Sequence, residues 1–243
     1  MSREETEIHT RLLRCTLAPD ECRAYWRAMA EHGALTRSLA FETYAFGQKS
    51  EARVEVLLAN MRARFDAFDD SLSALQALSL DAADARLVAH WHVMLSDPLY
   101  RAFAVFLQAR REVGARDVTR DEVSRWVEAQ QPGRWSGATR NGWASKLLTT
   151  AREAGLVSTR KDPRTLDLPH VSDRALLYLL HLLRGVQIQG SLLDNAYLYS
   201  VGLDGGILLD RLRGLRGVTV HKMGELIDLR FDHAGLTTWA EAA

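Results

Sequence analysis

The sequence contains little cysteine and no long apolar run, and each absence excludes a class of protein. Its two cysteines, Cys15 and Cys22, are too few for the disulfide framework of a small secreted domain. Because Pro19 interrupts any helix between them, we expect two buried or half-buried thiols in a reducing cytosol. The most apolar runs, 101–108 and 175–183, are much shorter than the roughly 20 residues of a membrane helix. The start of the chain is charged and unlike a signal peptide, so a cytoplasmic protein without membrane contact is predicted.

The chain also has no net charge, with 31 basic and 31 acidic residues. This balance excludes a strongly basic nucleic-acid binder as a description of the whole chain. It does not exclude a local basic patch, because a charge acts over about 10 Å at moderate salt. Hydrophobic residues make up 47% of the 243 residues, which is enough to bury the core of one large domain or two small ones.

Helix-start signals and apolar spacing predict a helical bundle over residues 1–114. One helix begins at Pro19, and Asp81 is placed to cap another. A third follows Asp97 and is apolar nearly all round, which indicates a central position in the bundle. Residues 1–14 are charged, and we expect them to be loosely held.

After residue 115 the pattern changes to helix, turn, helix and hairpin. Thr119 and Glu122 form a capping box, and Ser136 is placed to cap a second helix over residues 137–154. Two short extended runs then flank the charged turn 158–164. This is the element order of a winged helix, whose second helix fits the major groove of DNA.

The predicted fold is therefore mainly α, with a winged-helix-like segment and small β-hairpins. Residues 186–243 are less regular and contain two candidate strands, 218–220 and 226–231. The predicted domains are an N-terminal helical bundle, a winged-helix-like DNA-binding segment and a C-terminal mixed α/β subdomain, at 1–114, 115–185 and 186–243.

Positive charge is concentrated in the winged-helix-like segment. Residues 131–165 contain seven basic and two acidic side chains, a local charge of +5 in a neutral chain. Basic and small polar side chains are the groups that contact phosphates and base edges. The same pattern is also typical of protein-contact modules and of purely structural units, and both alternatives stay open. The candidate DNA-binding residues are Arg134, Arg140, Asn141, Lys146, Thr149, Arg152, Arg160, Lys161 and Arg164.

Nothing in the sequence resembles an active site. His90 and His92 are two residues apart on a predicted helix, so they point to different faces and would not chelate one metal ion. The glycine clusters at 204–206 and 214–217 lack the lysine and hydroxyl of a phosphate-binding loop. No serine or cysteine stands in a nucleophile motif. We therefore predict no enzymatic activity, no cofactor and no metal.

Three stretches of the chain resemble the BrxA family of BREX bacteriophage-exclusion systems. They are WASKLLTTAREAGLV at 143–157, DLPHVSDRALLYLLH at 167–181 and YAFGQKSEAR at 44–53. The resemblance implies a largely helical protein with a part similar to the NusB fold and with winged-helix elements. It also implies binding of double-stranded DNA without known catalysis, beside a methyltransferase, an ATPase and a phosphatase-like protein of the same operon. The family has been labelled an inner-membrane protein, and the lack of an apolar span here argues against that label.

Two functional hypotheses follow. The first is a non-enzymatic accessory protein that binds double-stranded DNA with weak sequence specificity, because phosphate contacts dominate the available groups. The second is a scaffold that assembles other proteins of the defence system without direct DNA contact. Its surface would be apolar, supplied by Leu192, Leu193, Tyr197 and Tyr199.

Overall fold

The computed structural model describes residues 2–223 and 226–243, and most of them are helical. The first half of the chain contains β1 (Ser2–Arg3), α1 (Arg11–Arg14), α2 (Pro19–His32), α3 (Arg37–Glu42), α4 (Glu51–Met61), α5 (Ser71–Ala77), α6 (Ala82–Ser96) and α7 (Pro98–Glu112). A π-helical segment, Arg62–Asp66, follows α4 directly. The second half contains β2 (Asp117–Val118), α8 (Arg120–Gln130), α9 (Gly137–Ala154), β3 (Arg164–Thr165), α10 (Asp173–Arg184), β4 (Val186–Gln187), α11 (Ala196–Tyr199), α12 (Gly205–Gly214), β5 (Val218–Met223), β6 (Leu226–Phe231) and α13 (Leu236–Ala242). The predicted mainly α fold is confirmed.

Local sequence signals set many of the helix boundaries. Asp81, Asp97, Ser136 and Ser172 each accept a hydrogen bond from a backbone N–H in the first turn of α6, α7, α9 and α10. These side chains satisfy donors that a helix start would otherwise leave unpaired. Gly155 ends α9 at φ +84°, a left-handed conformation in which a Cβ atom would be strained. Of these positions, Asp81, Asp97 and Ser136 were predicted as helix starts.

Helix α6 lies at the centre of the molecule, where it contacts α2, α7, α9 and α10. Almost all of its side chains are buried. The sequence pattern favoured α7 for this place, but α7 leaves Ala102, Val105 and Phe106 partly exposed. One cluster of buried apolar side chains includes residues from Leu12 to Ala240, so the core is shared by all three predicted domains.

The N-terminal segment is bonded to the rest of the fold, so the expectation that residues 1–14 are loosely held is wrong. Strand β1 pairs in parallel with β4. The carboxylate of Glu4 is buried, and it accepts hydrogen bonds from the Tyr197 hydroxyl at 2.5 Å and the Gln189 backbone N–H at 2.9 Å. The Arg101 guanidinium lies 3.6 Å from the same carboxylate. These partners come from distant parts of the chain, which no local pattern reveals.

The two histidines of α6 are structural, as predicted. His90 lies within hydrogen-bond distance of the Tyr100 hydroxyl, at 2.9 Å, and of the Ser200 hydroxyl, at 3.1 Å. The His92 ring donates from Nδ1 to the Arg64 carbonyl at 2.7 Å. Burial lowers the pKa of His90 to about 3 and that of His92 to about 4, so both rings are neutral.

Arg64 is buried against the connection between α1 and α2. Its guanidinium donates to the carbonyls of Cys15, Thr16 and Leu17 at 3.0, 2.7 and 2.7 Å. Both cysteines are free and buried, as predicted. Burial raises the pKa of the Cys22 thiol to about 12, so this thiol stays protonated.

The C-terminal strands pair with each other. β5 and β6 form an antiparallel hairpin with Val218 opposite Phe231, which confirms the predicted strands. Helix α13 returns to α10, where the Trp239 ring stacks on His181 at a centroid distance of 5.4 Å. Through this contact, α13 packs against the core.

Candidate nucleic-acid interface

Residues 116–167 form a strand, two helices and a hairpin. β2 pairs antiparallel with β3, and a bridge joins Val157 to Leu166. The Leu166 N–H donates to the Arg116 carbonyl at 2.9 Å, so the run that contains β3 lies between two other extended runs. Helix α8 packs against α9 before the chain enters this hairpin. The two runs predicted to flank a charged turn are therefore paired.

Helix α9 turns an apolar stripe inward, and this stripe packs on the bundle. The helix contacts α1, α6 and α7 as well as α8. Its other side carries most of the candidate polar residues, which are exposed or half-exposed. The buried side chains of the stripe are Trp143, Ala144, Leu147, Leu148 and Ala151.

Two candidate residues at the start of α9 bind α8. The Arg140 guanidinium lies 2.5 Å from the Glu128 carboxylate, which also accepts the Gly133 N–H at 3.0 Å. These two contacts hold the pKa of Glu128 below its usual value, so the pair is ionised at neutral pH. The Asn141 side-chain oxygen accepts the Ser124 hydroxyl at 2.9 Å. Both residues fix α9 on α8, and the charge of Arg140 is partly neutralised.

The hairpin tip, residues 158–163, carries two exposed cations. In the part of the chain that the structure describes, Arg160 and Lys161 have no acidic partner. Asp162 accepts the Arg120 backbone N–H at 2.8 Å, and its other carboxylate oxygen lies 3.6 Å from Nε of Arg164. The carboxylate of Asp162 therefore fixes the tip to the start of α8, while Arg160 and Lys161 stay free.

Arg152 and Arg164 lie near each other at the edge of the bundle. Burial lowers the pKa of Arg164, and the positive charge of Arg152 lowers it further. Arg152 also lies 4.0 Å from the Glu153 carboxylate and lines a cavity of about 280 Å³ with Pro19 and Arg86. The C-terminal part of α9 therefore faces α2 and α6.

The three remaining candidates differ in their availability. Lys146 is half-exposed and has no acidic partner among the described residues. Thr149 donates its hydroxyl to a backbone carbonyl one turn earlier at 2.8 Å. Arg134 is exposed, donates to the Ile8 carbonyl at 3.0 Å and lies over the Trp135 ring. Of these three, Lys146 is the one whose side chain bonds to no other described residue.

A family model described as BrxA matches residues 10–181, which include the whole of residues 116–167. The chain belongs to the BrxA family. It is therefore a component of a BREX phage-defence system. The match includes all nine candidate residues and ends within α10.

The BrxA-family chain is also similar in fold to a crystal structure of an uncharacterized protein from Magnetospirillum magneticum. The two share 17% sequence identity with a TM-score of 0.56, and the alignment covers 72% of this chain and 92% of the other. At this identity the likeness concerns the fold alone. No curated protein matches the chain.

Two further cations lie at the edge of the candidate interface of this BrxA-family protein. Arg116 precedes β2 and Arg120 begins α8, and both side chains are exposed without an acidic partner among the described residues. The carbonyl of Arg116 and the backbone N–H of Arg120 bind the hairpin. Arg116 and Arg120 are absent from the sequence prediction because the basic window, 131–165, begins after them. The pairing of β2 with β3 brings them close, and no local signal reveals that pairing.

The four residues predicted for a scaffold surface differ in their exposure. Tyr197 is buried, and Leu192 and Leu193 are half-buried. The Tyr199 hydroxyl donates to Glu112 at 2.6 Å.

Among the described residues, no helix combines the length and apolarity needed to cross a membrane. No cluster of three or more His, Cys, Asp or Glu side chains in those residues is placed to hold a metal ion.

Proposed function

We propose that this BrxA-family protein is a non-enzymatic cytoplasmic factor that binds double-stranded DNA for the BREX system. Residues 116–167 would fold as a winged helix, with α9 toward a groove and the hairpin as the wing. The chain would consist of a helical bundle at 1–114, the DNA-binding segment at 115–185 and a mixed α/β subdomain at 186–243. Other BREX proteins are its expected protein partners.

The order of elements supports the winged-helix interpretation. α7, β2, α8, α9 and the hairpin follow one another as the helices, strands and wing of that module do. The hairpin is fixed to α8 through Asp162, and α9 is fixed to α8 through Arg140 and Asn141. A reader of duplex DNA needs this rigidity, because the recognition helix and the wing must contact the DNA together.

The observation that carries the proposal is the pair of free cations at the hairpin tip. Arg160 and Lys161 are exposed and unpaired among the described residues, so no protein carboxylate competes with a phosphate for them. Lys146 on α9 adds a third available cation. Asn141, the residue best suited to read a base edge, already accepts a bond from Ser124. Affinity through phosphates and weak sequence specificity are therefore expected.

The test replaces both tip cations in Arg160→Glu with Lys161→Glu. Fluorescence anisotropy with a labelled duplex at several salt concentrations measures the binding constant. We expect the variant to bind at least about tenfold more weakly at low salt. The slope of log K against log salt should fall by about 2, because two phosphate contacts are lost.

The matched control is Lys49→Glu with Arg216→Glu. Both residues are exposed cations without an acidic partner among the described residues, and they lie outside residues 116–167. This variant changes the net charge by the same amount, so it measures the general electrostatic effect. Equal loss in the two variants, or no loss in either, contradicts the assigned surface. Capture of BREX proteins after nuclease treatment, by a chain that does not bind DNA, would favour the scaffold.

Arg140 is unsuitable as the test residue. Arg140→Glu would place a second carboxylate beside Glu128, at the position where the guanidinium now lies 2.5 Å away. The repulsion would loosen α8 from α9, and weaker DNA binding could then reflect a damaged fold. The tip variant avoids this ambiguity because neither side chain bonds to another described residue.

A further inference from the structure

A cavity of about 410 Å³ lies between α2, α5 and the start of α6. Its volume falls in the range of sites that hold small organic ligands. It belongs to the N-terminal bundle, and its lining includes no residue of the hairpin or α9. Arg23 also lines the neighbouring cavity that contains Arg152, so a site here would be adjacent to the C-terminal end of α9 but would share no residue with α9 or the hairpin.

The inner wall of the cavity is apolar. Trp26, Leu75, Leu78 and Ala85 line it and are buried. The Trp26 ring is held edge-on to Phe65 at a centroid distance of 5.3 Å. A rigid apolar wall of this kind suits the flat or aliphatic body of a ligand.

The rim of the cavity is polar and positively charged. Arg23 and Arg27 are the charged residues in its lining, and Arg27 is exposed without an acidic partner among the described residues. Arg23 donates to Asp20 at 2.6 Å, so its charge is partly balanced. Arg174 is outside the lining, but it donates to the carbonyl of the lining residue Ser79 at 2.8 Å and to Ala243 at 3.5 Å, so a third guanidinium lies near this rim. The net charge of these groups at the rim is positive.

We propose that this cavity binds a small organic anion with an apolar body, such as a nucleoside monophosphate or an aromatic acid. The apolar body packs on Trp26, Leu75 and Leu78. The acidic group binds Arg27 at the rim, with Arg23 beside it, because guanidinium groups pair well with phosphate and carboxylate. A neutral analogue loses this pairing, and a bare inorganic anion loses the apolar contact.

The test titrates the full chain with adenosine monophosphate and, separately, with anilinonaphthalene sulfonate, followed by calorimetry. Adenosine and inorganic phosphate are the partial probes. We expect at least one of the two organic anions to bind at one equivalent, and each partial probe to bind at least about tenfold more weakly. The bound probe should also raise the melting temperature, because it binds the folded state alone.

Two variants locate the site, each with a matched control. Arg27→Ala should weaken binding about tenfold, and Ala30→Trp, which fills the rim from the exposed face of α2, should abolish it. The controls Arg216→Ala and Ala109→Trp change exposed residues elsewhere and should bind as the parent does. The proposal is overturned if neither anion binds at about 1 mM, or if binding survives Ala30→Trp. DNA binding should be unchanged in all four variants, so failure here is distinguishable from failure of the proposed DNA surface.

Discussion

The bond between Glu4 and Tyr197 should make the N-terminal segment a large contributor to stability. The two residues are 193 positions apart, and both are buried. Burial raises the pKa of the Tyr197 phenol, so it stays protonated and donates to the carboxylate. Tyr197→Phe removes this donor and leaves the ring in place, so no cavity forms. A hydrogen bond to a charged group contributes about 1.5–3 kcal/mol, and we expect a loss of about 2 kcal/mol in the free energy of unfolding.

Glu4→Gln tests the other partner. The glutamine amide keeps the size of the side chain but replaces the carboxylate with a neutral group. In the parent, this carboxylate accepts hydrogen bonds from Tyr197 and Gln189 and lies 3.6 Å from the Arg101 guanidinium. Removing one member of a buried pair costs more than removing a neutral partner, so we expect a loss of about 3 kcal/mol. For a chain of this length about 1 kcal/mol corresponds to 2–4 °C in the melting temperature. The shift should therefore be about 6–12 °C.

Urea unfolding followed by circular dichroism gives the free energies of the single and double variants. The double variant should lose less than the sum of the two singles, with a coupling energy of about 1–2 kcal/mol. Glu7→Gln is the control, since Glu7 is exposed in the same segment, and it should stay within about 0.5 kcal/mol of the parent. Additive single losses, or a Tyr197→Phe variant as stable as the parent, would refute the reasoning.

Two further predictions concern buried groups. Arg64→Met should cost about 3 kcal/mol or more in urea unfolding, because it leaves the carbonyls that now accept from the guanidinium unpaired. Arg62→Met removes a bond to the Leu35 carbonyl, and an electrostatic interaction with Tyr25 and Asp66, from an exposed side chain. It should cost under about 1 kcal/mol, and equal losses in the two variants contradict the prediction. His90 and His92 have folded pKa values of about 3 and about 4, below the ordinary histidine pKa of 6.5. When the pH falls below 6.5, both rings therefore take up a proton in the unfolded chain but stay neutral in the folded chain. The contribution of the two rings to stability is therefore complete above pH 6.5 and is lost as the pH falls toward 4, by up to about 1.4 kcal/mol per pH unit for each ring. Unfolding midpoints that do not fall over this pH range would contradict the prediction.

The sequence predicted most of the helices because their signals are local. Asp81, Asp97 and Ser136 mark helix starts where the structure has them. The bonds involved join a side chain to backbone groups two or three residues away, so a short window contains all the information. The strands 218–220 and 226–231 were predicted on the same basis, because they are adjacent and alternate in polarity.

Contacts between distant segments could not be predicted in this way. Strand β1 pairs with β4, and Glu4 finds its donors near the other end of the chain. A charged N-terminal stretch with no periodicity predicts a loose tail, and only the folded partners show otherwise. The choice of α6 as the central helix has the same origin, since it depends on which neighbouring elements cover each face.

The candidate interface illustrates the same limit in terms of charge. A window along the sequence counts every cation in it, but the free energy of binding DNA depends on cations that carboxylates do not already neutralise. Three of the predicted arginines lie beside acidic groups, in the pairs Arg140–Glu128, Arg152–Glu153 and Arg164–Asp162. Arg134 has no acidic partner among the described residues, but its guanidinium donates to the Gln131 amide oxygen and to the Ile8 carbonyl. The described cations of this region with neither an acidic partner nor another side-chain bond are Lys146, Arg160 and Lys161, with Arg116 and Arg120 from outside the window. If these five cations contact phosphates, the slope of log K against log salt should be about −4.5. If all seven cations of the sequence window did so, the slope would be about −6. A measured slope therefore discriminates between charge counted along the chain and charge counted on the folded surface.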